Sequence, residues 1–150
     1  IFDRISEKLN YTTEESQRVI YNSFLMSSDV AHALHPNHSE LHDPTSRPVL
    51  NGGVVCKINA NQKYMSDGNS SAILQSLCRQ AGVSCQIFVN RSDMAGGSTL
   101  GNIVTSQLDI HGVDIGCPIL GMHSIRETAG VKDFTDSLLL FDTFFKNSNY

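Results

Sequence analysis

Between residues 27 and 42 the chain reads SSDVAHALHPNHSELH, which sets Asp29 among four histidines, His32, His35, His38 and His42. Carboxylate oxygen and imidazole nitrogen are donors that zinc accepts readily, and a metal so held lowers the pKa of a bound water and polarises a carbonyl. A further imidazole, His123, lies far along the chain in GMHSIRE. His32 and His35 stand three apart and would share one face of a helical turn, which would make the segment a self-contained site. Pro36 argues against a helix continuing there, so His38 and His42 read as exposed loop residues and His35 as a hydrogen-bonding group within HPN. Two other chemistries find less support. Ser, His and Asp are present, but the G-x-S-x-G nucleophile elbow is not. The loop Gly96-Gly97-Ser98-Thr99 lacks the G-x-x-x-x-G-K-[ST] phosphate cradle and reads as a pocket lining or a tight turn.

The elements that must position these groups alternate between strand and helix. TTEESQRVIYNSF opens with a capping threonine and two acidic residues, which suits a helix start. FLMSSD reads as a short buried strand ending at Asp29, and GGVVCKINA, VSCQIFVNR and GVDIGCPIL as three more. Ile73, Leu74, Leu77 and Cys78 fall on one face of a helix over 69–82 stopped by Gly82. A short helix is expected around 101–108 and a covering helix over DFTDSLLLFDTFF. Residues 35–52, punctuated by Pro36, Pro44 and Pro48, read as a long polar loop, and such loops are uncommon without a task. This order predicts an α/β fold with a mixed, largely parallel sheet flanked by helices. Ligands of such sheets gather beyond the carboxyl ends of strands, and SSDVAHALHPN, SDMAGGSTLG and GMHSIRE each follow a predicted strand.

Composition limits the partners. The 150 residues match one domain with enough apolar content, 40 %, for a real core. A formal charge of −4 argues against nucleic acid. No apolar run approaches the roughly 20 residues needed to span a bilayer, and no signal-peptide pattern is recognisable, so neither a membrane nor export is expected. Cys56, Cys78, Cys85 and Cys117 form no C-x-x-C pair and sit in apolar surroundings, as buried free thiols of a reducing cytosol would. The chain starts with Ile, and residue 1 is expected not to be a translation start.

Taken in order, SSDVAHALHPN, VVCKINANQKY, GGSTLG, VDIGCPILGMHSIRE and LLLFDTFF resemble the C-terminal part of the aspartyl aminopeptidase and vacuolar aminopeptidase I family. That family consists of metallo-aminopeptidases with two zinc ions, which release single residues, often acidic, from peptide N-termini. The resemblance implies that Asp29 is a carboxylate ligand of one metal and His123 the histidine ligand of the other, with cobalt or manganese as alternatives to zinc. It places His32, Lys57 and Tyr64 at substrate-binding positions and gives Gly96, Gly97, Ser98 and Thr99 a supporting role. A neutral His32 suits donation to a developing oxyanion, and Lys57 suits pairing with an acidic side chain or carbonyl. Arg126 and Glu127 would steady the loop around His123 by a salt bridge or an outer contact.

The departures from the family pattern are equally informative. Its first histidine ligand, its bridging aspartate and its Glu-Glu pair, which holds the general base, precede the region matched here. Glu14-Glu15 stands in a helix-start context instead. Residues 1–150 are therefore expected to be an incomplete C-terminal portion of a catalytic domain, inactive alone, carrying no catalytic residue of its own. A naturally short, non-catalytic homologue that binds peptide ends or joins full-length subunits is the alternative. The resemblance also implies a peptide substrate, a homo-oligomer as the full-length protein, and a cytoplasmic location, with a vacuole or lysosome as the family's other compartment.

Overall fold

The computed structural model describes residues 1–147. Two short helices, α1 (Phe2–Lys8) and α2 (Thr13–Tyr21), lead into the sheet. Thr12 caps α2 as the sequence suggests: its hydroxyl accepts from the Glu15 N–H, and the Glu15 carboxylate accepts from the Thr12 N–H. Helix α1, which was not anticipated, buries none of its residues, so it lacks the one-sided apolar pattern that would reveal it.

The strands are β1 (Phe24–His32), β2 (Val54–Ile58), β3 (Cys85–Val89), β4 (His111–Leu120) and β5 (Thr128–Ala129), in the order β1-β4-β2-β3 with β5 beside β4. Three helices complete the chain: α3 (Gly68–Ala81), α4 (Leu100–Thr105) and α5 (Val131–Lys146). β1 runs parallel to β4 over its whole length, and β2 runs parallel to β3. β2 is antiparallel to β4, as is the short β5. The sheet is mixed and largely parallel, as expected, but the carboxyl ends of its strands do not all share one edge.

Alternation along the strands separates two faces. Val54, Cys56, Val113 and Ile115 join Leu74, Leu77 and Cys78 of α3 and Leu140 of α5 in the main core. Helix α3 ends where the sequence places its stop, with Gly82 left-handed at φ 68°. On the other face, Ala31, Val55 and Phe88, from three different strands, pack together with Tyr64. The sheet therefore coils over this second face. That coil brings the ends of β1 and β3 together although the strands belong to oppositely directed pairs.

Candidate metal and substrate site

Asp29 lies inside β1 rather than at its end, because the strand continues to His32. The continuation follows from the register: His32 pairs with Ile119, and Ala33 N–H then donates to the Ile119 carbonyl at 2.9 Å. In the middle strand, Gly116 is opposite both Asp29 of β1 and Val55 of β2. A Cβ on Gly116 would stand 2.6 Å from the Val30 carbonyl carbon. Gly116→Ala is thus expected to force β1 and β4 apart and cost about 1–3 kcal/mol, measured by urea unfolding. A cost below the error of that measurement would show that the strands have slack here.

Across that glycine, Lys57 of β2 meets β1. Its ammonium pairs with Asp29 Oδ1 and donates to the Val30 carbonyl at 3.1 Å, and it lies 5.1 Å from the centre of the Tyr64 ring. Lys57 is only 4 % exposed, whereas the Asp29 side chain is half in water. The buried ammonium thus has a counter-charge, a carbonyl and a π face, the partners a buried lysine needs. Asp29 keeps Oδ2 without a donor among the described residues.

His32 closes β1 on the same side, its ring 6.1 Å from that of Phe88, and Tyr64 lies 6.5 Å from Phe88 on another side. A cavity of about 320 Å³ opens here. Its lining includes His32, His35, Tyr64, Phe88, Gly96 and Gly97. His38 and His42 line it as well; His38 is exposed, as expected, whereas His42 is half-buried. Proline-rich loop geometry hid this: Leu34 N–H donates to the Pro48 carbonyl at 2.7 Å, which folds the 35–48 segment back against the end of the sheet.

Burial, then the charges of His123 and Lys57, holds the His32 imidazole below its ordinary 6.5. Burial, then His32, Arg47 and His35, does the same to His42, against a smaller opposing hydrogen bond that the ring donates to the Ala33 carbonyl. Both rings favour the neutral form in the folded chain, while the unfolded chain takes up its protons first as pH falls. Stability from these rings is therefore full above about pH 6.5 and is lost as pH drops through the lowered folded values. Melting temperatures between about pH 7.5 and 5.5 should fall on acidification, and less steeply in the His32→Gln/His42→Gln variant. Equal slopes would remove these rings as the cause.

His123 follows β4 in an exposed loop turned by Gly121 at φ 67°, and is itself left-handed at φ 69°. A non-glycine residue held in that conformation is a mark of functional loops. Glu127 fixes the turn by accepting the His123 N–H at 2.6 Å. Arg126 contributes its backbone N–H to Ser124 Oγ, and its side chain forms no salt bridge among the described residues. The His123 imidazole engages no hydrogen-bond partner among the described residues, and its charge contributes to lowering the His32 pKa.

The glycine-rich loop is anchored from beneath by Asp114, which sequence reading missed. Thr99 Oγ1 donates to Asp114 Oδ2 at 2.8 Å, and the Met65 N–H reaches the same oxygen at 2.7 Å. Ser66 Oγ accepts the Asp114 N–H at 2.9 Å. One fully buried carboxyl thus ties the loop carrying Tyr64 to the loop carrying Gly96 and Gly97. Ser98 adds a hydrogen bond to the Lys63 carbonyl at 3.3 Å. Asp133, at the start of α5, was also missed; it accepts the N–H groups of Asn51 and Gly53 at 2.7 and 2.9 Å. Both aspartates act on residues far away in sequence, so no local motif announces them.

The donors present fit part of a zinc centre. Asp29 offers a free carboxylate oxygen and His123 a free imidazole, the ligand types zinc prefers. Among the described residues no three His, Cys, Asp or Glu side chains converge as a metal-holding group, including within residues 32–42. A tetrahedral ion would need further donors beyond Asp29 and His123.

Residues 1–145 match the family described as aminopeptidase I zinc metalloprotease (M18). A probable M18 family aminopeptidase 2 of Clostridium novyi is 50 % identical over 145 residues, 97 % of this chain and 34 % of its own length. The aspartyl aminopeptidase of Dictyostelium discoideum is 46 % identical over 125 residues, 83 % of this chain and 26 % of its own. Among solved structures, a chain of the Ape4 and Nbr1 complex superposes with a TM-score of 0.91 at 39 % identity, covering 97 % of this chain and 28 % of that one. The S. cerevisiae mApe1 dodecamer gives 0.82 at 29 % identity, covering 98 % and 33 %. The chain spans about a third of the length of the curated relatives it matches. With the sheet order, the buried Lys57 behind Asp29 and a match over nearly every residue all in accord, this chain belongs to the aminopeptidase I zinc metalloprotease (M18) family.

Proposed function

We propose that this chain forms one wall of the active site of a zinc-dependent aminopeptidase, with Asp29 and His123 each giving one ligand to a two-metal centre. The observation that carries the reading is the convergence of Asp29, Lys57, Tyr64 and His32 at one side of the coiled sheet, with His123 close enough to act on the His32 charge. Zinc bound there would polarise the scissile carbonyl and supply a nucleophilic hydroxide at neutral pH. The remaining ligands and the general base would come from the part of the family's length that these residues do not match. Cobalt and manganese would suit the same oxygen and nitrogen donors.

Within this wall, each residue has a distinct task. Lys57 holds the Asp29 carboxylate in place from below. His32, neutral at pH 7, can donate a hydrogen bond to the substrate without adding charge. Tyr64 and Phe88 exclude water from one side of the cavity, and the Gly96-Gly97 stretch lets a peptide backbone approach closely. For the residue released, we favour an acidic side chain. His35, His38 and Arg91 line the cavity and carry groups that can be cationic, and the Dictyostelium relative is named an aspartyl aminopeptidase. Assembly into a homo-oligomer follows the named mApe1 dodecamer. The outer face of α5, with Val131, Phe134, Leu138 and Phe145 exposed, is an apolar surface consistent with it. No helix among the described residues is long and apolar enough to cross a membrane. The free thiols favour the cytosol as the compartment.

The test compares this chain with a full-length polypeptide that contains it. Zinc binding by calorimetry and release of aspartate and glutamate from aminoacyl anilides should be weak and absent, respectively, for the chain, and both strong for the full-length protein. Zinc-dependent turnover by the 150-residue chain alone would overturn the assignment of the general base to other residues.

A further inference from the structure

The segment that brings His35, His38 and His42 to the cavity has a neck and a far end. At the neck, the Leu34 N–H meets the Pro48 carbonyl at 2.7 Å, so the chain leaves and returns at one place, as in a compact surface loop held by its own side chains. Beside the neck, Gln86 of β3 accepts the Val49 N–H at 2.9 Å and donates to the Val49 and Gly53 carbonyls at 3.1 and 3.2 Å. Inside the loop, Asp43 Oδ1 takes the N–H groups of Thr45 and Ser46, both at 2.8 Å, and the Thr45 hydroxyl at 2.7 Å. The Arg47 guanidinium donates to the Asp43 carbonyl at 2.9 Å, and His35 accepts the Asn37 N–H at 3.1 Å. These contacts stay within the loop and give it a shape of its own.

At the far end, a single 3₁₀ turn, Ser39–Leu41, is tied to the rest of the chain by one hydrogen bond among the described residues. Arg91, just past β3, donates it from Nη1 to the Glu40 carbonyl. Nε and Nη2 of the same guanidinium clamp Asp93 Oδ1 and Oδ2, each at 2.6 Å, which fixes the plane of the fork. Arg91 also opens the loop that carries Met94, Gly96 and Gly97 along the cavity. It therefore joins the two loops that wall the cavity, at the point farthest from the neck.

We infer, on the reading that substrate occupies this cavity, that residues 35–47 form a cover hinged at Leu34 and Pro48, and that Arg91, oriented by Asp93, is the positioning residue that latches it shut. The latch sets where His38, Leu41 and His42 stand against whatever fills the cavity. A wall that touches substrate equally before and during reaction contributes uniform binding, and its loss raises KM more than it lowers kcat. Arg91 acts here through the cover. Its grip on a backbone carbonyl makes the effect independent of the side chain at residue 40, and the carboxylate of Asp93 keeps the fork aimed.

Amide exchange on this chain reads the cover at Leu41 and His42, whose N–H groups close the 3₁₀ turn on His38 and Ser39. Arg91→Ala and Asp93→Asn should each speed exchange over 38–42 by about tenfold, while Leu34 at the hinge and the body of α3 keep the parent rates. Gln86→Ala should do the reverse, speeding Val49 and leaving 38–42 alone. In the full-length polypeptide, Arg91→Ala and Asp93→Asn should raise KM for an aspartyl anilide by about fivefold with a smaller fall in kcat, and Arg91→Lys, too simple a donor to hold Asp93 and Glu40 together, should rescue only in part. Asp93→Asn separates the latch from direct pairing with an acidic substrate, because it frees the guanidinium for such pairing and would then lower KM. Parent-like exchange over 38–42, an equal rise at Leu34, or an Asp93→Asn KM at or below the parent's would each overturn the inference. A full-length parent without turnover would overturn the proposed function instead, and the exchange rates alone then decide the latch. Should Arg91→Ala fail to fold, Asp93→Asn, at a side chain 58 % exposed, supplies the same readings.

Discussion

Replacing Asp29 with alanine is expected to destabilise this chain by about 3 kcal/mol in zinc-free buffer, where a side chain serving only as a metal ligand would cost nothing. The reason lies beneath it. Lys57 is 4 % exposed and reaches Asp29 and one backbone carbonyl. Removing the carboxylate strands a buried ammonium, which is the expensive way to break a pair. The reverse substitution is milder. Lys57→Met keeps the apolar stem, and Asp29, half in water already, recovers its hydration; a loss of about 1 kcal/mol is expected. The Asp29→Ala/Lys57→Met double variant should then be close to Lys57→Met alone, giving a coupling of about 3 kcal/mol from the cycle. Urea unfolding with a chelator present measures all four proteins. If Asp29→Ala proves no worse than Lys57→Met, the ammonium has another route to solvent or charge neutralisation and the pair does not hold the site together. Asp29 also has two claims on it, from Lys57 and from a metal. Because the two can use different oxygens, Lys57 can keep Oδ1 while Oδ2 stays open.

How much of this was readable from residues alone differs by the range of the interaction. The Thr12 cap, the Gly82 stop and the apolar spacing of α3 and α5 are local, and each sits where the sequence suggests. The strands were also legible as apolar runs. Their directions were not, because nothing in GVDIGCPIL says that it lies between β1 and β2 and antiparallel to the latter. The extension of β1 past Asp29 escaped for a related reason: polar Ser27, Ser28 and Asp29 look like a strand end until β4 is there to pair with them. At the site, the residue types of Asp29, His32 and His123 advertise metal and proton chemistry, and the resemblance to a family attached Lys57 and Tyr64 to them. What neither supplied is that Lys57 sits behind Asp29 as its counter-ion, a contact between two strands that do not pair directly. His42 was likewise misjudged, since its half-burial depends on a loop returning over the sheet rather than on its neighbours in sequence, whereas His38 is exposed as expected.

Asp114→Ala is expected to cost about 3 kcal/mol and to loosen both walls of the cavity together. The carboxyl is fully buried, and a single oxygen takes the Met65 N–H and the Thr99 hydroxyl. Truncation leaves two buried donors unmet, at about 1–3 kcal/mol each, and a small void besides. Working against this, Asp114 Oδ1 is buried without a partner among the described residues, so the native carboxyl already carries a cost that the variant removes. Gly101 lies tight against that oxygen, with a Cβ there only 2.7 Å from Oδ1, which leaves little room for a rescuing group. The balance predicts an order. Asp114→Asn keeps an acceptor oxygen for both donors and the same shape, and should cost about 1 kcal/mol; Thr99→Val, which leaves Met65 served, should fall between that and the alanine variant. Unfolding in urea gives the energies, and amide exchange at Met65 and across residues 96–100 reports the loops. If Asn and Ala cost the same, the acceptor geometry is not what Asp114 provides. If exchange at Met65 rises without any change at 96–100, the two loops are not coupled through it, and the Tyr64 wall and the glycine wall must be held in place separately.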